Sequence, residues 1–194
     1  MGLLNPFHEP FKEIEFETTT FCNRKCVYCP DSKYERVGAE DGRYMKEEVF
    51  EKLLKDLSAI GFQGLLAPHL YGEPLTDPRL VNWVSKIRKT LPIATIKIVT
   101  NGDYLNEKKY TELINAGADY FCVSKHSPEL PQGVVSILNK LNEREQLEKI
   151  KVLDYYEDYH NNQAMLNTRG GEVHLKKKLK QPVCCQYALY PVVN

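Results

Sequence analysis

Two kinds of hydrophobic spacing alternate along the chain. Short apolar or alternating runs, several of them rich in β-branched and aromatic residues, predict strands over residues 13–19, 64–71, 95–100, 119–124 and 151–155. Apolar residues that recur at three- and four-residue steps predict helices over residues 46–60, 78–91, 106–116 and 134–149. Strands that alternate with helices at this spacing predict parallel βαβ units with right-handed crossovers, and therefore an α/β fold.

Residues capable of chemistry follow the predicted strands. Because the carboxyl ends of parallel strands meet at one edge of such a fold, side chains from separate strands are expected to share one open face there. The residues placed at, or just after, these strand ends are Cys22, Gly72, Asn101, Ser124 and His126.

Composition and charge are those of a soluble globular protein. The 194 residues fit one domain, and 26 acidic side chains balance 26 basic ones. Such a balance predicts neither a nucleic-acid partner nor an anionic membrane partner. The first eleven residues lack the core of a signal peptide, and no stretch approaches the roughly 20 apolar residues of a membrane span. A cytoplasmic location is therefore expected.

Three of the six cysteines, Cys22, Cys26 and Cys29, lie within eight residues. This crowding suits a metal site in a reducing compartment better than a disulfide framework. Thiolates hold iron-sulfur clusters, and three ligands for four irons leave one iron open. The alternative is a zinc site, but zinc prefers four ligands, and the only histidine close in sequence is His8.

The C-x3-C-x2-C spacing, with Tyr28 before the last cysteine and a strand before the first, resembles the signature of the radical S-adenosylmethionine (SAM) superfamily. The resemblance implies a partial (β/α)6-type parallel barrel with a 4Fe-4S cluster on Cys22, Cys26 and Cys29. In that family the open iron binds the methionine part of SAM, and an electron cleaves the sulfonium to give a deoxyadenosyl radical. An electron donor such as flavodoxin or ferredoxin is implied as a partner.

Further motifs follow the later strands in the order of that family. Residues 71–74 (YGEP) resemble its G-G-E-P element, which receives the amino group of SAM, although Tyr71 replaces the first glycine. Residues 100–102 (TNG) resemble a second element, and a serine ends the fourth strand. Taken singly, each of these is also an ordinary turn or strand end. The implied cofactor contacts are Tyr28, Gly72, Glu73, Pro74, Asn101 and Ser124.

Four strings, IEFETTTFCNRKCVYCP, HLYGEPL, TNGDYLNEK and TRGG, resemble the deoxy-scyllo-inosamine (aminocyclitol) dehydrogenase type of radical SAM enzyme. That type oxidises a secondary alcohol, and the resemblance places Arg169 close to the reacting alcohol as a catalytic residue. Arginine suits a developing oxyanion because its charge is permanent. A surface turn is the alternative for Arg169. His69 and His126 also have counterparts, either as structural residues or as substrate contacts.

The C-terminal residues resemble the opening of a SPASM or twitch extension. Only Cys184 and Cys185 are available there, so an auxiliary 4Fe-4S cluster is doubtful. The expected organisation is an N-terminal segment over residues 1–12, a radical SAM core over residues 13–175 and the start of a truncated extension over residues 176–194.

The leading hypothesis is a radical SAM enzyme that abstracts hydrogen from a polar small molecule, such as a sugar or cyclitol alcohol. A second hypothesis is modification of a ribosomally made peptide, which the C-terminal extension suggests. A third is an inactive metal-binding or structural protein with the same fold, which the missing auxiliary ligands suggest.

Overall fold

Five parallel strands form one sheet in the part of the chain that the computed structural model describes, residues 11–29 and 44–162. The strands lie side by side in chain order and each pairs with the next. They are β1 (Glu13–Glu15), β2 (Leu65–Ala67), β3 (Thr95–Thr100), β4 (Tyr120–Lys125) and β5 (Ile150–Asp154). This arrangement confirms the predicted α/β fold and is consistent with a partial barrel.

Helices connect the strands. The longer ones are α1 (Glu47–Ala59), α2 (Leu80–Thr90), α3 (Glu107–Ala116), α4 (Gln132–Lys140) and α5 (Glu143–Lys149). A one-turn α6 (Tyr155–Glu157) and a π-helical turn (Asp158–Asn162) follow β5, and a 3-10 turn (Pro74–Thr76) follows β2. No helix in the described ranges is long and apolar enough to cross a membrane.

The hydrophobic core lies between the helices and one face of the sheet. Alternate strand residues such as Ile14, Ile98 and Phe121 are fully buried in one cluster with helix residues. Within it the rings of Phe50 on α1 and Trp83 on α2 stack with centroids 3.9 Å apart. The opposite face of the sheet is only partly buried.

The structure corrects the predicted bounds of the first two strands. Both end early because the backbone finds other partners: Met45 N donates to Thr18 O at 2.8 Å, and His69 N turns back to donate to Ala67 O at 2.8 Å. The segments that follow are therefore loops, which gives them the freedom to approach one another.

The predicted long helix over residues 134–149 is two helices. Asn142 begins α5 with a capping box, in which its side chain accepts from Glu145 N and Glu145 accepts from Asn142 N. The second helix also begins later than predicted, at Leu80, because Asp77 Oδ1 accepts from Arg79 N at 2.9 Å.

Candidate active site

The three clustered cysteines lie in the loop that follows β1. A tight turn closes the loop, with Cys29 N donating to Cys26 O at 2.9 Å. Arg24 N points at Cys22 Sγ from 3.5 Å. All three side chains are half-buried, form no disulfide and line the same cleft. The fold therefore brings three thiols into the wall of one cleft.

Burial favours the protonated form of two of these thiols when no metal is bound. It raises the pKa of Cys22 to about 11 and also raises the pKa of Cys26. Since a metal binds the thiolate, metal binding at this loop must release protons. Over residues 11–29 and 44–162, no three His, Cys, Asp or Glu side chains converge on a single ion. Spaced thiols suit a cluster, in which each cysteine binds a different iron.

Gly72 brings the loop after β2 against the cysteine loop. A Cβ atom at Gly72 would lie 1.9 Å from Thr19 O, so no larger residue fits without backbone movement. Next to it, Glu73 N donates to Phe21 O at 2.8 Å. The two loops are therefore joined backbone to backbone, directly before the first cysteine.

Glu17, which lies two residues after β1, supports this junction. Its Oε1 accepts from Tyr71 N at 3.0 Å and from Gly72 N at 2.8 Å. A carboxylate that receives two backbone donors fixes the turn at a defined distance from the cysteine loop. The sequence prediction did not assign Glu17 to the site.

The Glu73 carboxylate is buried in the cleft wall, with 3% of the residue exposed. It accepts from Thr100 Oγ1 at 2.7 Å, Asn101 N at 2.8 Å and Leu75 N at 3.0 Å, all of them neutral donors. Burial raises the pKa of Glu73 to about 7, against the lowering effect of these hydrogen bonds. A cationic group bound beside Glu73 would favour its ionised form.

The turn after β3 holds the cysteine loop from the other side. Asn101 Nδ2 donates to Asn23 Oδ1 at 2.8 Å and lies 3.9 Å from Cys22 Sγ. Asp103 accepts from Arg24 Nε and Nη2 at 2.6 and 2.5 Å, and from Asn23 Nδ2 at 2.7 Å. This Arg24–Asp103 clamp is bidentate, so it restrains the loop in orientation as well as in distance.

The end of β4 supplies the remaining polar wall. Ser124 is nearly buried at 9% exposure, and His126 lies two residues farther along. The Tyr28 hydroxyl lies 2.6 Å from His126 Nδ1. Burial lowers the pKa of His126 to about 4, so the ring is neutral near pH 7.

His69 lies two residues after β2 and lines the same cleft. Its ring is hydrogen-bonded to the Gly72 backbone, and burial lowers its pKa to about 4. Its buried Nδ1 has no hydrogen-bond partner among the described residues. One ring nitrogen is therefore tied to the Gly72 turn.

The structure brings most of the predicted site residues into one cleft. Its lining includes the predicted Cys22, Cys26, Cys29, Gly72, Glu73, Asn101 and Ser124, together with His69 and His126. Tyr28 packs behind this lining, and Pro74 is buried at the start of the 3-10 turn. Arg169, Cys184 and Cys185 lie outside the described residues.

Four residues that support the site were missed from the sequence, namely Glu17, Asn23, Arg24 and Asp103. The one available signal was charge: a basic residue inside the cysteine motif and an acidic residue directly after the T-N-G element. Opposite charges in two loops at the same edge of a sheet are candidates for pairing.

Comparison with known proteins agrees with the geometry of the cleft. The family model described as the Radical SAM superfamily matches residues 16–162. Over 117 residues the chain is 38% identical to an S-adenosyl-L-methionine-dependent 2-deoxy-scyllo-inosamine dehydrogenase of Niallia circulans, covering 60% of this chain and 46% of that protein. It is 29% identical over 136 residues to a GTP 3',8-cyclase of Aquifex aeolicus (strain VF5), covering 69% of this chain and 42% of that protein.

Solved structures show the same fold. The crystal structure of BtrN in complex with AdoMet and 2-DOIA matches with a TM-score of 0.69 and 30% identity, over 83% of this chain and 61% of that one. BtrN in an open conformation matches with a TM-score of 0.60 over 78% of this chain and 59% of that one. The chain therefore spans less than half the length of these two curated relatives and about three fifths of BtrN.

Proposed function

The chain belongs to the radical SAM superfamily, and from this premise we propose that it cleaves S-adenosylmethionine reductively and removes hydrogen from a carbon that bears a hydroxyl group, in a sugar or cyclitol. The observation that carries the proposal is the shared cleft, in which three thiols face a buried carboxylate and two neutral histidines. The thiols suit a cluster, the carboxylate suits the cationic part of a cofactor, and the histidines suit a polar substrate.

Cys22, Cys26 and Cys29 would hold the 4Fe-4S cluster. Bound there, the cluster supplies the electron for cofactor cleavage and an open iron position for the methionine part of SAM. The protein's share is to hold the ligands in place. Arg24 N and Asn101 Nδ2 lie 3.5 and 3.9 Å from Cys22 Sγ, where they can stabilise a thiolate.

Glu73 and Gly72 would receive the ammonium group of the cofactor. An ammonium has three donors and needs acceptors, and Glu73 offers a buried carboxylate whose present partners are all neutral. The absence of a side chain at Gly72 leaves the backbone close to the cysteine loop, so a ligand there would meet the cluster loop directly.

The alcohol substrate is proposed from the similarity to the dehydrogenase and from the polar cleft wall. Ser124 and His126 can exchange hydrogen bonds with hydroxyl groups. Arg169 is proposed to contact the reacting oxygen. A cytoplasmic location and an electron donor of the flavodoxin or ferredoxin class complete the proposal.

Radical generation is tested with the anaerobically reconstituted protein, dithionite and SAM. We expect the iron and sulfide content of one 4Fe-4S cluster per chain and formation of 5'-deoxyadenosine. The matched control is Cys26→Ala, which lacks one ligand. Deoxyadenosine at the same level in both proteins would show that the radical assignment is wrong.

The substrate class is tested with 2-deoxy-scyllo-inosamine deuterated at its carbinol carbons. We expect deuterium to appear in the 5'-deoxyadenosine, because the hydrogen is taken from a carbon that bears a hydroxyl group. If deoxyadenosine forms without deuterium, radical generation stands and this alcohol is not the substrate. Mass spectrometry of the deoxyadenosine separates the two outcomes.

A further inference from the structure

The Tyr28 hydroxyl lies between the Cys26 side chain and the His126 ring, both of which line the cleft. It is hydrogen-bonded to the Cys26 side chain and lies 2.6 Å from His126 Nδ1. Tyr28 and His126 are 98 positions apart in the chain, and the fold alone brings them together. One hydroxyl group therefore touches both the cysteine loop and the strand end that lines the cleft.

Proton counting gives these two hydrogen bonds a direction. A hydroxyl group has one proton to donate, and a thiolate bound to iron has none. The Tyr28 proton therefore goes to Cys26, because a hydrogen bond to a charged acceptor is the stronger one. The Tyr28 oxygen must then accept from His126, which places the proton of the imidazole on Nδ1.

The neutral state of His126 decides what its second nitrogen can do. Burial lowers the pKa of His126 to about 4, so the ring carries one proton near pH 7. With that proton on Nδ1, the Nε2 atom is an acceptor. His126 lines the cleft beside Ser124, so this acceptor belongs to the wall that a substrate would meet.

Aromatic packing holds the ring in this orientation. Tyr155 stacks on both members of the pair, with centroids 5.6 Å from His126 and 6.4 Å from Tyr28 and planes inclined by 23° in each case. Tyr159 packs against Tyr28 with centroids 5.1 Å apart. Side chains fixed on several sides can keep one tautomer and one direction of hydrogen bonding.

We propose that Tyr28 and His126 form a hydrogen-bond relay that begins at Cys26, in which Tyr28 donates to Cys26, His126 Nδ1 donates to Tyr28, and His126 Nε2 accepts from a hydroxyl group of the substrate. The last of these contacts rests on the proposed function. The contact with Cys26 depends only on a cluster being bound.

The relay has a consequence for the cluster that can be measured without substrate. Hydrogen bonds to the sulfur ligands help to set the reduction potential of an iron-sulfur cluster. A donor stabilises the extra negative charge of the reduced state, so Tyr28→Phe makes the potential more negative. Tyr110→Phe is the matched control, because Tyr110 packs on Phe121 in the core, away from the cleft.

Two substitutions at His126 separate its two nitrogens. His126→Asn keeps a donor near Nδ1 and removes Nε2, so the potential stays at its wild-type value while substrate binding weakens. His126→Gln keeps an acceptor near Nε2 and removes the donor to Tyr28, so the potential shifts instead. Loss of one hydrogen bond raises the half-saturating substrate concentration roughly two- to tenfold.

The experiment uses the reconstituted full chain and its variants. EPR-monitored redox titration without substrate measures the potential, and 5'-deoxyadenosine formation against 2-deoxy-scyllo-inosamine concentration measures half-saturation. Nitrogen-15 spectra of histidine-labelled, oxidised protein, assigned by the signal missing in His126→Asn, identify the protonated ring nitrogen.

An unchanged potential in Tyr28→Phe would overturn the relay. A proton on His126 Nε2, or unchanged half-saturation in His126→Asn, would overturn the acceptor role. If wild-type protein does not act on this cyclitol, the proposed function fails, whereas the potentials and nitrogen spectra still decide the relay.

Discussion

At the scale of single residues, Glu73 is buried, and the groups that donate hydrogen bonds to its carboxylate are neutral. Its carboxylate oxygens receive three neutral donors, and only 3% of the residue is exposed. Such a group keeps its proton at higher pH than an exposed carboxyl group. The stability of the protein should therefore report the ionisation of Glu73.

We predict that Glu73→Gln changes the pH dependence of stability. The pKa of Glu73 is about 7 in the folded protein and near 4.5 in the unfolded chain, so between these values the folded state binds more protons. The contribution of Glu73 to the free energy of unfolding is thus largest below pH 4.5 and falls as the pH rises to about 7. Urea denaturation of cluster-free wild type and variant should show a difference that declines across this window.

Glu107→Gln is the control for that measurement. Its ion pair with Lys140 lowers the pKa of Glu107, so its stabilisation is present above the unfolded pKa and is lost as the pH falls through the folded one. The difference between wild type and this variant should therefore rise with pH, in the acid range. The same slope for both variants would contradict the assigned ionisation of Glu73.

Gly72→Ala should damage both the fold and the site. The added methyl group would lie 1.9 Å from Thr19 O, and backbone cannot move aside as a side-chain end can. We expect a loss of about 1–3 kcal/mol or more in the free energy of unfolding, together with reduced iron content after reconstitution.

Gly61→Ala is the comparison for Gly72→Ala. Gly61 has a φ of +66° but nothing within 4 Å of the added Cβ, so only backbone strain of about 1 kcal/mol is expected and iron content should not change. Equal effects at the two glycines would show that the close approach at Gly72 is unimportant.

At the scale of elements, the turn after β3 restrains the cysteine loop through the Arg24–Asp103 clamp. The two side chains are 22% and 27% exposed, so the ion pair contributes only about 1 kcal/mol to global stability. Its main effect is local, since it ties a loop without regular secondary structure to the rigid end of a strand.

Asp103→Asn should therefore loosen the loop more than it destabilises the protein. We expect faster amide hydrogen exchange over residues 22–29 and lower iron retention, with global stability reduced by about 1 kcal/mol. Asp56→Asn, which breaks the exposed Lys52–Asp56 pair on α1, is the control and should leave exchange in the loop unchanged. The exchanged pair Arg24→Asp with Asp103→Arg should restore part of the iron retention. No change in Asp103→Asn would contradict the role of the clamp.

At the scale of the whole molecule, the core and the cleft use different residues. The buried cluster centres on the Phe50–Trp83 stack between helices, whereas the cysteines lie in a loop at the carboxyl ends of the strands. Loss of the three thiols should therefore leave the fold intact, although it removes the proposed chemistry.

The variant with Cys22, Cys26 and Cys29 all changed to Ala tests this separation. We expect its circular dichroism spectrum and thermal midpoint to match those of cluster-free wild type, with no bound iron and deoxyadenosine formation at background. Phe50→Ala, a cavity in the core, should instead cost about 3–5 kcal/mol in the free energy of unfolding. An unfolded triple variant would show that the cysteine loop is part of the folding core.

The sequence by itself determined the features that depend on neighbours in the chain. The helices and strands follow from periodic apolar residues, and the cysteine loop from three thiols within eight positions. The errors of the sequence-based prediction were also local. Strand ends and the break before Asn142 depend on single hydrogen bonds that compete with regular structure, such as the bond from Met45 N to Thr18 O.

Only the tertiary structure decided which loops meet. Gly72 contacts Glu17 across 55 positions, Asp103 contacts Arg24 across 79, and His126 contacts Tyr28 across 98. The order of the strands in the sheet and the path of each loop set these distances. The spacing of residues along the chain determines neither of them. The sequence therefore predicted three thiols as ligands for a cluster, whereas the fold supplied the groups that hold those thiols in the cleft.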